Sequence, residues 1–113
     1  MRRIELDATQ WRTVGDFYDD LLRALGACVH HRRSPDALIE SMIWGGGVDV
    51  EPPYVVSVTG LEAASAAVAA YVRDVAQVIS DARSWRRDRT GIDIDVSVEV
   101  DGALRRLDRA SGG

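Results

Sequence analysis

Hydrophobic and polar positions recur along the chain with two different periods, and these periods predict its elements. Residues 3–6 alternate with a period of two, which predicts a short opening strand. The next apolar positions recur every three to four residues and predict an amphipathic helix, with Val14, Phe17, Tyr18, Leu21, Leu22 and Leu25 on one stripe. Thr13 and Asp16 form a carboxylate version of the capping box at its start, and Gly26 ends it.

A second helix, a central strand and a third helix follow. Ser34 and Pro35 predict the start of the second helix, since serine caps helices and proline suits the first helical position. Three glycines at 45–47 end it. Residues 54–58 are apolar on both faces, which is typical of a buried central strand. Residues 61–83 are rich in alanine and predict a helix, and the pattern leaves open whether 61–67 form a separate short helix.

The last third of the chain is more polar. Residues 84–91 predict an arginine-rich connection, and residues 92–100 alternate strictly, as in a strand with one face in water. The residues from Asp101 onward predict a polar tail. The element order β-α-α-β-α-β indicates a small α/β domain with parallel strand pairing.

Composition bounds the class of protein. A chain of 113 residues with 46 % hydrophobic and 28 % charged residues is typical of one globular domain. Its single cysteine, Cys28, excludes an internal disulfide and favours a reducing compartment. We expect neither a membrane span nor a signal peptide, because no apolar run is long enough and the N-terminal residues lack an apolar segment.

The charges are distributed unevenly. All 14 basic residues are arginines, and 18 acids give a net charge of −4, which disfavours general binding to nucleic acid. Residues 34–81 hold seven acids and one arginine, a net charge of −6, whereas each flank is close to +1. An acidic surface of this kind suits a basic partner, and the alternative is that it only maintains solubility.

The second helix carries the most specific candidate site. Asp36 and Glu40 are four residues apart, so both carboxylates lie on one helix face. Ile39 and Trp44 lie on or beside that face, and acids interleaved with large apolar residues form a plausible anchor for a protein partner. The alternative is structural: Asp36 favours the helix dipole, Glu40 is ordinary surface, and Ile39 or Trp44 belongs to the core.

The sequence gives little support for a catalytic site or a metal site. Cys28, His30 and His31 could hold a metal or a thiolate nucleophile, but adjacent histidines rarely face one ion and no fourth ligand is evident. We expect Cys28 to be a small buried residue and the segment 30–33 to be a solvated basic loop. The sequence therefore predicts no catalytic residue, no metal and no cofactor.

Two arginine clusters allow a different function. They comprise Arg86, Arg87 and Arg89 in one cluster and Arg105, Arg106 and Arg109 in the other. Both lack the interleaved aromatic residues of a surface that stacks RNA bases, although Trp85 adjoins the first. We expect them to balance the acidic segment, and an RNA-associated or protein-interaction module is the alternative function.

Several short motifs resemble the barstar family of polypeptide ribonuclease inhibitors. The distinctive stretch is Ser34-Pro35-Asp36-Ala37-Leu38, with an acid one turn later at Glu40 and a glycine at Gly45. The resemblance covers roughly residues 3–98. Its weaker elements are Val14-Gly15-Asp16-Phe17 in the first helix, Pro53-Tyr54-Val55-Val56 at the central strand, and Asp81 near the end of the last helix.

The resemblance implies a fold: a three-stranded parallel sheet with about three to four helices, in a single domain over residues 1–100 followed by the tail 101–113. It also implies that the second helix and the loop before it occlude the basic active site of a small ribonuclease. Asp36 and Glu40 would meet the cationic catalytic residues of that nuclease, and Asp81 would contact it from the rim.

The resulting prediction is a cytoplasmic inhibitor or immunity protein that is not an enzyme and is monomeric. Its predicted partner-binding residues are Asp36, Ile39, Glu40, Trp44, Asp81 and His30. The basic loop 30–33, the length of the segments after residues 45 and 83, and the tail past residue 100 depart from the family pattern. A basic loop would repel a basic nuclease, so the resemblance leaves the target open.

Overall fold

Three parallel strands form the centre of the fold in a computed structural model that describes residues 1–28 and 30–100. They are β1 (Arg2–Asp7), β2 (Tyr54–Thr59) and β3 (Val96–Val100), and β2 lies between the other two. The register aligns Ile4 with Val56 and Val56 with Val98. The predicted α/β class with a three-stranded parallel sheet is confirmed.

Three helical segments and one short turn connect the strands. Helix α1 (Val14–Ala24) is followed by α2 (Pro35–Leu38), which continues into a π-helical turn (Ile39–Ile43). A 3-10 turn (Leu61–Ala63) and the long helix α3 (Ala66–Thr90) lead to β3. Among the described residues, no helix is sufficiently long and apolar to span a membrane.

Alternation along the strands places the core on one face of the sheet. Ile4, Leu6, Val56, Val58 and Val96 are buried in one cluster, together with the helix residues Phe17, Tyr18, Leu21, Leu38, Met42, Val72 and Ile79. The residues that alternate with them include the buried Val55 and several polar side chains. There, Arg3 Nη2 donates to Ser57 Oγ and Glu99 Oε2, both at 3.1 Å, and links all three strands.

Helix α1 forms as its sequence predicts. Thr13 accepts a hydrogen bond from the Asp16 N–H, and the Asp16 carboxylate accepts one from the Thr13 N–H, which completes the capping box. Hydrogen bonds from the Asp16 carboxylate to the main-chain N–H groups of Arg12 and Thr13 lower the pKa of Asp16. At the other end, Gly26 has a φ of +67° and the Ala27 N–H bonds to the Leu22 carbonyl, which closes the helix.

Two predicted boundaries in the last third are wrong. Residues 84–91 do not form a connection, because α3 continues to Thr90 and ends only where Gly91 adopts a left-handed conformation. Tertiary contacts of Trp85 and Arg86 hold these turns, and polar periodicity alone does not reveal such contacts. The strand also begins at Val96 rather than at residue 92, since Asp93 and Asp95 bind the side chain of Arg83. The predicted tail 101–113 lies outside the described residues.

Candidate partner-binding surface

The start of α2 fixes the position of the two candidate carboxylates. Ser34 Oγ accepts a hydrogen bond of 3.2 Å from the Ala37 N–H, and Pro35 occupies the first turn, as predicted. Leu38 is completely buried, which anchors the helix and contributes about 2 kcal/mol of burial free energy. Asp36 and Glu40 are exposed, so the helix presents both carboxylates to solvent.

Four of the predicted binding residues surround one open depression. Its lining consists of Asp36, Ile39, Glu40, Trp44 and Gly45, and its volume is about 710 Å³. Ile39 is half-buried and packs against the core, while 44 % of Trp44 remains exposed. The lining of the depression therefore combines two carboxylates with one aliphatic side chain, Ile39, and one aromatic side chain, Trp44.

Trp44 follows Glu40 by four residues, as the sequence spacing predicts, and a π-helical turn precedes it. The Trp44 N–H donates to the Ile39 carbonyl at 3.2 Å, a bond that spans five residues instead of four. The wider turn brings Trp44 toward the helix face that carries Ile39. Sequence periodicity does not predict this turn, because its residues are compatible with a regular helix.

Helix α3 supports Trp44 from the side. The Trp85 ring meets the Trp44 ring edge-to-face, with 6.0 Å between centroids. Arg86 lies 5.1 Å from the Trp44 ring and Arg89 lies 4.8 Å from the Trp85 ring. The residue pattern does not predict this arrangement, although the four-residue spacing of Trp85 and Arg89 is the spacing of a contacting pair on a helix.

The two remaining predicted residues lie apart from the depression. Asp81 is exposed on α3, where its Oδ1 accepts a hydrogen bond of 2.9 Å from Gln77 Nε2, and it lies one helical turn before Trp85. His30 is exposed in the loop before α2. The structure does not bring either side chain into the lining of the depression.

Side chains of the basic loop 30–33 form ion pairs and hydrogen bonds with other parts of the chain. Arg33 forms an ion pair with Asp19, and its Nη1 donates to the Gly15 carbonyl at 3.3 Å. The His31 ring contacts Ser41 Oγ at 2.5 Å through Nε2 and the Arg32 carbonyl at 2.7 Å through Nδ1. These contacts hold the loop against α1 and the π-helical turn, so its arginines are not all available to repel a basic partner.

Cys28 is exposed, and the expectation that it is buried is wrong. It lies past the left-handed turn at Gly26 that ends α1, outside the packed stripe of that helix. Both ring nitrogens of His31 are engaged with other atoms, so this histidine is not paired with the thiol. Within residues 1–28 and 30–100, no group of three metal-ligating side chains converges.

A second cavity, of about 750 Å³, lies beside the depression. Arg86, Asp93 and Asp95 line it, together with a largely apolar set: Met42, Val48, Val50, Pro52, Pro53, Tyr54, Ile92 and Ile94. Arg83 binds both oxygens of Asp93 at 2.8 Å and lies 3.5 Å from Asp95. These two carboxylates therefore stabilise the joint between α3 and β3.

Comparison with protein families matches residues 1–97 to the family described as Barstar (barnase inhibitor). The chain belongs to the Barstar family. No curated protein matches the chain significantly. The matched range contains α2, the π-helical turn and α3, so every residue of the depression and of the tryptophan contacts lies within the Barstar domain.

Proposed function

We propose that the chain is a protein inhibitor that binds a small basic ribonuclease and occludes its active site. The observation that carries the proposal is the exposed pair Asp36 and Glu40 in the lining of an open depression, in a chain of a family described as barnase inhibitors. A ribonuclease binds RNA phosphates with cationic side chains. Two carboxylates one helical turn apart can take the place of such phosphates.

The surrounding surface supports the same function. The net charge of −6 over residues 34–81 attracts a basic protein over a long range and accelerates its association. Ile39 and Trp44 provide apolar contact area in the lining of the depression, and large apolar side chains often carry much of the binding energy of protein interfaces. In this proposal the chain acts in the cytoplasm as a monomer, and it carries out no reaction of its own. Asp81 and His30 lie outside the depression, and in this proposal they contact the nuclease at the edge of the interface and adjust affinity.

A kinetic experiment tests the proposal. RNA cleavage by barnase, and by a panel of small basic ribonucleases, is measured at rising concentrations of the chain and of the RNA substrate. We expect inhibition of at least one nuclease that is competitive with RNA and weakens as salt is added, because charges dominate the contact. Inhibition of none of these nucleases at a large molar excess of the chain would contradict the proposal.

A further inference from the structure

Two of the most exposed apolar side chains of the described residues contact each other. Trp85 is 52 % exposed and Trp44 is 44 % exposed, and both keep exposed ring surface while Arg86 and Arg89 lie over their faces. We refer to these four residues as the tryptophan–arginine cluster. Tryptophan and arginine are the residue types that most often dominate the energy of protein interfaces.

The side chains of Arg86 and Arg89 differ in the hydrogen bonds that they form within the fold. Arg86 is half-buried and donates from Nη1 to the Ile43 carbonyl at 2.6 Å, so it supports the structure. The Arg89 side chain is exposed and forms no hydrogen bond or ion pair with residues 1–28 or 30–100, and it contacts the Trp85 ring. The donors of Arg89 are therefore available to an acceptor on another molecule.

The cluster is continuous with the depression. Trp44 lines the depression together with Asp36 and Glu40, and its ring also contacts Trp85. A protein that fills the depression therefore reaches Trp85 by extending past a single side chain. The residues that build this extension belong to the last turns of α3, beyond the position where the sequence predicted that the helix ends.

The surrounding charges select a protein partner rather than a nucleic acid. Arg83 is bound to Asp93 and Asp95, and Arg87 lies 3.9 Å from Asp88, so each of these arginines has an acid beside it. A nucleic-acid strand on the cluster would also run close to Asp36 and Glu40, which repel phosphates. A protein surface can present opposite charges at two nearby points.

We infer that the ribonuclease interface extends from the depression onto the tryptophan–arginine cluster, where the partner places an apolar side chain against Trp85 and an aspartate or glutamate against Arg89. This inference rests on the proposed function. It adds a second contact region of opposite charge, which a nuclease with only a uniformly basic surface does not complement.

Binding measurements on α3 variants test the inference. The probe is the ribonuclease from the kinetic panel that the unmodified chain inhibits, beginning with barnase, and its affinity is measured by calorimetry. We expect Trp85→Ala and Arg89→Glu each to weaken binding by about tenfold or more. The matched control is Arg87→Glu, which makes the same charge change on the far side of the helix and should stay within about threefold of the unmodified chain.

Each outcome has a distinct meaning. If Asp36→Asn with Glu40→Gln abolishes binding while Trp85→Ala and Arg89→Glu bind normally, the proposed function stands and the inference is wrong. If the unmodified chain binds no nuclease of the panel, both are wrong. If the chain binds a single-stranded oligouridine of about 20 nucleotides at low salt and Arg89→Glu removes that binding, the cluster is a nucleic-acid surface and the inference is again wrong. Because Arg89 is exposed, its variant keeps the fold, and thermal unfolding verifies this for both variants.

Discussion

Arg86 donates a hydrogen bond of 2.6 Å from Nη1 to the main-chain carbonyl oxygen of Ile43. The carbonyl groups in the last turn of a helix lack partners within that helix, and a cation beside them is favourable. This bond therefore completes the end of the π-helical turn and connects it to α3. It also holds Trp44, the next residue, against the side chains of α3.

Replacing Arg86 should destabilise the protein. We expect Arg86→Ala to lower the free energy of unfolding by about 1–3 kcal/mol, because a charge-assisted hydrogen bond and a cation–π contact are both lost. Arg86→Lys should recover only part of this, since a compact ammonium group does not reproduce the planar stacking. Urea unfolding measures the effect. The control Arg87→Ala should change stability by no more than about 0.5 kcal/mol, and equal losses in the two alanine variants would contradict this role for Arg86.

Local signals in the sequence predict much of the fold. The capping box of Thr13 and Asp16, the cap at Ser34 and the apolar run of β2 each act within a few residues, and the structure confirms each of them. The end of α3 depends instead on contacts with distant elements. Trp85 and Arg86 contact Trp44 and Ile43, which lie more than 40 residues earlier in the chain. Periodicity does not include such contacts, so it predicts the end of the helix too early.

The candidate site likewise contains residues that local spacing predicts and residues that depend on distant contacts. Helical spacing brings Asp36, Ile39 and Glu40 together, and the structure places all three around one depression. The spacing also places Trp44 on or beside this face, and the structure puts it in the same lining. The π-helical turn that precedes it is not specified by the residue pattern. In the sequence Trp85 is only a neighbour of arginines, because its contact with Trp44 exists only after the chain has folded.

Two buried tyrosine hydroxyls should respond differently to removal. The hydroxyl of Tyr54 is buried without a hydrogen-bond partner among the described residues, and burial raises the pKa of Tyr54 to about 12. The hydroxyl of Tyr18 bonds to that of Tyr71 at 2.8 Å. We expect Tyr54→Phe to leave stability unchanged or to raise it by up to about 1 kcal/mol, and Tyr18→Phe to cost about 1 kcal/mol. Chemical denaturation of the two variants checks this, and the opposite order would contradict it.

Stability should decline in acid partly through Asp93. The two hydrogen bonds from the Arg83 side chain hold the pKa of Asp93 below its ordinary value of 3.8. The pairing therefore contributes fully above about pH 4 and is lost as the pH falls through the pKa of the folded state. We expect Asp93→Asn to flatten the dependence of unfolding free energy on pH below 4. A variant that keeps the full acid dependence, like the control Asp74→Asn, would show that this pairing has no such effect.

The affinity of a variant without the charges of Asp36 and Glu40 tests the account most directly. Asp36→Asn with Glu40→Gln keeps the size of both side chains and removes both charges, and Glu62→Gln with Asp74→Asn makes the same charge change at exposed sites elsewhere in the acidic segment. Breaking a desolvated ion pair costs about 3–5 kcal/mol, so the first variant should bind the inhibited ribonuclease at least about a hundredfold more weakly. The second should stay within about tenfold of the unmodified chain. Equal affinity of the two double variants would contradict the claim that Asp36 and Glu40 occupy the ribonuclease active site.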